Sequence, residues 1–436
     1  MPDSCPPRAF ATTQVQAGHA PTAPHSPAVP AIYQSNAFEF PSLSDARDRF
    51  ALRQEGDIYS RAANPTVAVF EERMAALEGG VAAAGVASGQ AAVALALLAL
   101  ARTGDHIVAA SQLYGGTVDL LGDTFAGWGI DVTFVDQDDP DAWTAAVRPA
   151  TKAFFAESVT NPLAQVLDTA MVAERAHAAG VPLVIDNTVA TPYLQRVKDH
   201  GADIAVHSAT KFVGGHGSAL GGVVVDLGTF DFAADPAKWP QLSEPYARVP
   251  GGGLLERFGA KAFITLVKTK YSHDLGPSLS AMGAFQLLQG LETLDLRMTR
   301  HSSSAAAVAA FLDADPRVAA VHHPSLASSP WHANAQRYLP RGAASVFSFD
   351  LPATGDTEAD FARAERLIQA LQVVRLVANI GDARTLIAHP ASMTHSHMTP
   401  EQLADSGIAW TTLRLSVGLE DPADLIADLD AALDVL

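Results

Sequence analysis

From Val81 to about Val225, short apolar runs alternate with Ala-rich amphipathic stretches, and this alternation constrains the fold more than any other feature of the chain. The runs lie near Val81–Val86, His106–Ala110, Asp131–Val135, Lys152–Ala156, Val181–Ile185 and Asp203–Val206, while stretches such as Thr169–Ala179 carry helical spacing. A strand that is apolar on both faces must be covered on both. A strand joined to the next through a helix pairs with it in parallel. The pattern therefore predicts an α/β fold, a mostly parallel sheet sandwiched by helices. In such sheets ligands bind beyond the carboxyl ends of the strands, so the residues just after each run are where chemistry is expected.

The flanks follow other patterns. The start is proline-rich and predicts an extended arm with a loose beginning, followed by helices over Ser44–Gln54 and Val67–Leu77. Phe230–Gly253, with several prolines and glycines, reads as a long surface excursion. Leu254–Leu312 reads as largely helical, including Gly283–Met298 and Ser303–Leu312. A smaller α+β domain is expected after it, with strands at Ser345–Leu351 and Thr411–Ser416 and a closing helix near Pro422–Leu436. The expected division is an N-terminal arm (1–58), a large domain (59–275) and a C-terminal domain (276–436). The chain's 436 residues suffice for two sizeable cores.

Charge and composition exclude several functions. A formal net charge of −18 disfavours nucleic acid and anionic membrane surfaces as partners. The single cysteine, Cys5, rules out an intramolecular disulfide and fits a reducing, cytoplasmic location. Gly79–Ala101 carries no charge and is long enough to span a membrane, but Gly85, Ser88, Gly89 and Gln90 interrupt it. It reads instead as a strand, a turn and a helix capped near Ser88. There is no basic start followed by an apolar run, so no secretory signal is expected. Among fifteen histidines, His389, His395 and His397 cluster in sequence, yet no zinc-enzyme motif joins them and no metal is expected.

The chemistry concentrates after the runs. Ala202–Gly222 (ADIAVHSATKFVGGHGSALGG) is a strand followed by a loop in which Ser208 and Thr210 flank Lys211, and Gly214, Gly215 and Gly217 follow. The order is the reverse of a nucleotide P-loop, which places its lysine after the glycines. A lysine that attacks a carbonyl must be positioned and partly deprotonated, and such a loop suits it; a surface lysine in a Gly-rich turn is the plain alternative. Asp186 ends another run. If Lys211 holds pyridoxal phosphate as a Schiff base, a carboxylate there would keep the pyridine nitrogen protonated and make the ring an electron sink. Ser88, Gly89 and Gln90 open a helix directly after a strand, a natural phosphate seat or simply a capped helix. Tyr114 offers an aromatic face over a ring, Asn161 precedes a proline in a turn, and Arg414 is a lone charge in the apolar strand LRLSVG, costly unless paired.

Taken together, YSRAANPT (59–66), ASGQAA (87–92), LYGGT (113–117), ESVTNP (157–162), DNTVATP, HSATKFVGGHG and LRLSVGLE (413–420) occur in an order that resembles the pyridoxal-phosphate-dependent enzymes of cysteine and methionine metabolism. The resemblance covers nearly the whole chain. It implies the fold type I, aspartate-aminotransferase-like architecture and a cofactor tethered to Lys211, with Asp186 at its pyridine nitrogen and Tyr114 over its ring. Ser88, Gly89, Gln90, Ser208 and Thr210 would form the phosphate shell, joined by Tyr59 and Arg61 of an adjacent subunit. Arg414 would clamp the amino acid's carboxylate, with Thr385 beside it, and Asn161 would contact that carboxylate or the cofactor's phenolic oxygen. The family resemblance also implies a homotetramer, a dimer of dimers with sites shared between chains, and an arm from FATTQVQAGH onward lying on a neighbouring subunit.

Within the family, GGHG after Lys211, SGQAA, QGLETLDLRM (289–298) and NIGDARTLIAHPASMTH (379–395) resemble the O-acetylhomoserine sulfhydrylase branch, whereas the γ-synthases and lyases more often read NGHSD after the lysine. Gly116 stands where methionine γ-lyases commonly carry cysteine. Glu244–Gly253 (EPYARVPGGG) lacks a Tyr-His pair common in that branch, which leaves fine substrate preference open. The expected reaction is γ-replacement: O-acetyl-L-homoserine and sulfide give L-homocysteine and acetate, and methanethiol would give methionine. Cystathionine γ-synthase or methionine γ-lyase activity, and a non-catalytic cofactor-binding regulator, are the alternatives.

Overall fold

The structure, a computed structural model, describes residues 8–21, 25–396, 403 and 406–436; Cys5 and His397 lie outside the described residues. Its main sheet holds β1 (Ala82–Val86), β2 (His106–Ala110), β3 (Asp131–Val135), β4 (Thr151–Glu157), β5 (Leu183–Asp186), β6 (Ile204–His207) and β7 (Gly222–Asp226), in the order β1-β7-β6-β5-β4-β2-β3. Neighbours from β6 to β3 are parallel, and β7 alone runs against the rest, antiparallel to both β6 and β1. The reason is local. Parallel pairing needs a crossover, usually helical, but the chain between β6 and β7 is the Gly-rich Lys211 loop, which forms turns and no helix. That short return keeps Lys211 at the carboxyl edge of the sheet.

The strands are as apolar as their two-sided burial demands. Every residue of β2, β6 and β7 is buried, as are Leu183, Val184 and Ile185 of β5, in a core continuous with the covering helices. Burying such a side chain fully contributes roughly 1.5–3 kcal/mol. A second sheet has the order β10-β11-β12-β9-β8 and is built from β8 (Ala320–His322), β9 (Val346–Asp350), β10 (Arg375–Leu376), β11 (Leu386–Ala388) and β12 (Thr412–Ser416). Arg414 sits in the middle of β12, opposite Ala388 and Ser348. The closing helix spans Pro422–Leu433.

Three expectations are corrected. The helix expected over 283–298 is two helices, Ala281–Leu291 and Leu294–Asp313. The break lets Arg297, in the first turn of the second helix, reach back and donate to Gly290 O (2.7 Å), Phe212 O (2.7 Å) and Val213 O (3.3 Å). Residues 230–253 are not merely a surface excursion: Phe232, Trp239, Leu242 and Val249 are buried, and Trp239 packs edge-on to Phe230 and Phe232 at 5.2 and 5.3 Å. The arm from Phe10 also packs on its own chain. Phe10–Gln16 is a helix whose Gln14 Nε2 donates to Asp295 (2.5 Å) and whose Phe10 ring meets Tyr193 at 5.2 Å. Arg73 anchors the next turn by donating to Ala17 O. The helix expected over 44–54 is shorter, Leu43–Phe50, and buries no side chain.

Candidate active site

A cavity of about 280 Å³ opens at the carboxyl edge of the main sheet. Ser88 follows β1, Tyr114 follows β2, Glu157 and Asp186 end β4 and β5, and Lys211 follows β6; Arg414 and Asn379 enter from the side of the second sheet. Of the residues singled out from the sequence, Ser88, Gly89, Gln90, Tyr114, Asn161, Asp186, Ser208, Thr210, Lys211 and Arg414 all line it.

One end is shaped for an anion. Ser88 caps the helix Gly89–Leu100, its Oγ accepting from Ala91 N–H at 3.2 Å. Capping leaves the first N–H groups of the turn, those of Gly89 and Gln90, without helical partners, and the dipole end favours negative charge. The Ser208 backbone presses against this turn so closely that a Cβ on Gly89 would lie 2.5 Å from Ser208 Cβ. Gly222 is equally constrained, since its Cβ would fall 2.0 Å from Ser88 O. The Gln90 side chain is engaged elsewhere: its Nε2 donates to Gly116 O at 2.7 Å, so its own contribution to an anion is the backbone N–H. Thr210 Oγ1 donates to Gly221 O and accepts Gly221 N–H (3.2 and 3.0 Å), tying the two ends of the lysine loop together.

The other end carries the carboxyls. Asp186 Oδ1 accepts from the Thr188 N–H (2.9 Å) and hydroxyl (2.5 Å), and the same Thr188 oxygen accepts Ser208 N–H (2.8 Å). Burial pushes the Asp186 carboxyl up, against the Thr188 hydrogen bonds and the His207 imidazole, which pull it down. A cation beside this half-buried carboxyl would favour its charged form. Lys211 Nζ donates to Asn379 Oδ1 at 2.6 Å. Burial, and then the nearby Arg414 guanidinium, hold its ammonium below the ordinary lysine range, as a lysine that must give up its proton requires.

Arg414 is buried on β12 and donates through Nη1 to Asn161 Oδ1 (3.3 Å) and through Nη2 to Asn379 O (2.9 Å). Its Nε has no partner, and burial lowers the guanidinium to about 10. The internal ion pair that would explain it structurally is absent among the described residues. A planar fork with an unpartnered donor, held beside a lysine, fits a ligand's carboxylate. Tyr114 stands half-exposed over the same space, and Gly116 permits its pose, because a Cβ there would meet the Tyr114 ring at 2.7 Å.

Three of the expected residues are not brought to this cavity. Thr385 is buried behind it, its hydroxyl donating to Glu420 Oε2 (2.7 Å) and accepting Gly418 N–H (2.8 Å), because the Glu420 carboxylate needs both its N–H and its hydroxyl. Asn379 takes the place expected of it. Tyr59 and Arg61 line a separate surface recess, with the Arg61 guanidinium 5.3 Å over the Tyr59 ring. Sequence reasoning missed Asn379, Glu157 and Thr188, although all three lie inside quoted motifs. Among the described residues no cluster of His, Cys, Asp or Glu could hold a metal ion, and no helix is long and apolar enough to cross a membrane. His389 is spent on Ser392 and the Trp410 carbonyl, and His395 on Thr394.

A mostly parallel α/β sheet with a half-buried lysine, a strand-end aspartate and a capped helix N-terminus at one cavity fits an enzyme that mounts a phosphorylated carbonyl cofactor. The sequence profile of the Cys/Met metabolism PLP-dependent enzymes matches residues 11–434, and the chain belongs to that family. It is 42% identical to a homocysteine synthase of Schizosaccharomyces pombe, covering 98% of both chains. It is 45% identical to an O-acetyl-L-homoserine sulfhydrylase of Leptospira meyeri, over 94% of this chain and 92% of the other. A solved structure from Campylobacter jejuni, provisionally assigned as an O-acetylhomoserine (thiol)-lyase and carrying a pyridoxyl-lysine monophosphate, superposes with a TM-score of 0.92 at 36% identity, covering 98% of this chain and 99% of that one. The cofactor is pyridoxal 5'-phosphate, and the helix N-terminus at Ser88, the Asp186 carboxyl and the half-buried Lys211 fit its phosphate, ring nitrogen and carbonyl.

Arg414→Lys tests the clamp. A lysine cannot supply the planar fork, so the variant keeps its cofactor but loses kcat/KM for the amino-acid substrate by about thirtyfold or more, about 2 kcal/mol for a broken charge-assisted pair. Steady-state kinetics check this, and an unchanged kcat/KM would mean the carboxylate is held elsewhere.

Proposed function

We propose that this enzyme performs γ-replacement on O-acetyl-L-homoserine with sulfide, yielding L-homocysteine and acetate. One observation carries the reading: Asn379 joins the Lys211 amine through its side chain to the Arg414 guanidinium through its carbonyl. A carboxylate held by Arg414 thereby brings its own Cα to the lysine that must take the proton. The choice of an acetyl ester and sulfide is supported by what the similar enzymes of Schizosaccharomyces pombe and Leptospira meyeri are called.

Bound pyridoxal phosphate supplies the electron sink for charge developing at Cα. The chain's own residues do the rest. Asp186 holds the ring nitrogen's proton. Arg414, with Asn161, orients the substrate carboxylate. Lys211 would remove the Cα proton, and a Cβ proton would also leave so that acetate departs from Cγ; after sulfide adds at Cγ, both protons would be returned. The Tyr114 ring covers the reacting atoms and excludes water. A panel of O-acetyl, O-succinyl and O-phospho esters of homoserine, each with sulfide, methanethiol or cysteine, tests the assignment. O-acetyl-L-homoserine with sulfide should exceed other pairs in kcat/KM by about tenfold or more, and a preference for cysteine would make the enzyme a cystathionine γ-synthase instead.

We further propose a cytoplasmic homotetramer of two dimers, in which Tyr59 and Arg61 complete the phosphate site of the adjacent subunit. In support, they face a recess away from their own chain's cavity, and the preceding helix Leu43–Phe50 leaves Leu43 88% and Phe50 67% exposed, apolar surface that a second copy would cover. Lys211→Ala alone should be inactive, and Arg61→Ala should bind cofactor poorly. When the two exchange subunits, one site of each hybrid dimer combines a normal Lys211 with a normal Arg61, so activity should return at limiting cofactor in proportion to the hybrid fraction. Demonstrated exchange without recovery would place Arg61 at its own chain's site.

A further inference from the structure

Glu157 ends β4 directly opposite Asp186 on β5, so two carboxyls stand side by side at the carboxyl edge of the sheet and both line the cavity. Glu157 is 5% exposed, and its Oε1 accepts the Tyr114 backbone N–H at 2.6 Å. It thus reaches across from β4 to the loop after β2 and fixes the residue whose ring stands over the cavity. Asn161, four residues along the same loop, accepts from Arg414.

We propose that Glu157 is a positioning residue for the reaction: it anchors the backbone from which the Tyr114 ring reaches over the cavity, and as a second carboxyl beside Asp186 it adds negative charge where the cofactor's ring nitrogen is held. A neutral acceptor would serve to tie a loop. A carboxyl buried against another carboxyl is costly unless a cation joins them. Burial, and then Asp186, push the Glu157 carboxyl well up, while the N–H groups of Tyr114 and Asn161 oppose the shift. Lys211 and Arg414 are the cations of the same cavity, and His207 acts on Asp186 from β6. A protonated ring nitrogen held beside them would give the two carboxyls the partner that their burial demands.

Two substitutions separate the roles. Glu157→Gln keeps the length and an acceptor but removes the charge; Glu157→Ala removes both. In Glu157→Gln the pH midpoint of the bound cofactor's visible absorption should fall by about half a unit or more, because less negative charge favours the deprotonated form. Its kcat should drop about tenfold, with KM for O-acetylhomoserine within threefold. Glu157→Ala should in addition weaken cofactor affinity, measured by titrating the cofactor-free protein, by about tenfold. An unmoved midpoint in folded Glu157→Gln would overturn the proposal, even if Glu157→Ala were impaired, since that pattern describes a loop anchor alone. If Glu157→Ala fails to fold, Glu157→Gln decides. Only the kcat readout depends on the proposed substrate; absorbance and cofactor affinity would stand if that assignment failed.

Discussion

The Lys211 loop is held from three directions, and the site depends on that restraint. Thr188, after β5, accepts Ser208 N–H; Thr210 and Gly221 close the loop on themselves; and Arg297 takes the carbonyls of Phe212 and Val213. Arg297 is the unusual member. It is a buried cation whose acceptors are three carbonyls and the Thr293 hydroxyl, and burial lowers its guanidinium to about 10. Gly215, with φ of +70°, lets it approach, because a Cβ there would lie 2.1 Å from Arg297 Nη1. A charge left in the interior without a carboxylate is tolerated when hydrogen bonds satisfy its protons. The same bonds make the loop rigid enough to aim an amine.

The resulting electrostatics divide the cavity. Asp186 and Glu157 bring two carboxyls to the cavity wall, the helix Gly89–Leu100 brings its N-terminus, and Lys211 and Arg414 add two cationic groups. Burial, and then the like charge of Arg414, depress the lysine, which favours the free amine that proton transfer requires. Asn379 is the joint between them, and its amide lets one residue serve both a cation's side chain and the neighbouring guanidinium.

Much of this was legible in the sequence, because period and position carry it. The runs at His106–Ala110 and Asp131–Val135 became strands with those boundaries, the first buried throughout and the second an edge strand buried only at Val135. Lys211, Asp186 and Ser88 were found because each follows a strand in an α/β pattern. What escaped was set by tertiary contact. The helix break at Glu292–Thr293 exists for Arg297, which acts on a loop some eighty residues away. Gly290 marks it only once the neighbouring Val213 carbonyl, 2.3 Å from where its Cβ would be, is known. Thr385 looked polar and well placed, but Glu420 had claimed it. Trp239 and Phe232 were hidden by the prolines around them, which punctuate a chain without saying whether its aromatic residues turn inward.

The central claim is that Lys211 carries the cofactor. The protein as purified should be yellow, and borohydride should bleach its visible band while fixing one pyridoxyl-phosphate mass to a single peptide. Mass mapping of the reduced protein should place that mass on Lys211 alone. A modified peptide containing a different lysine, with Lys211 unmodified, would contradict the account of the site from its first residue onward.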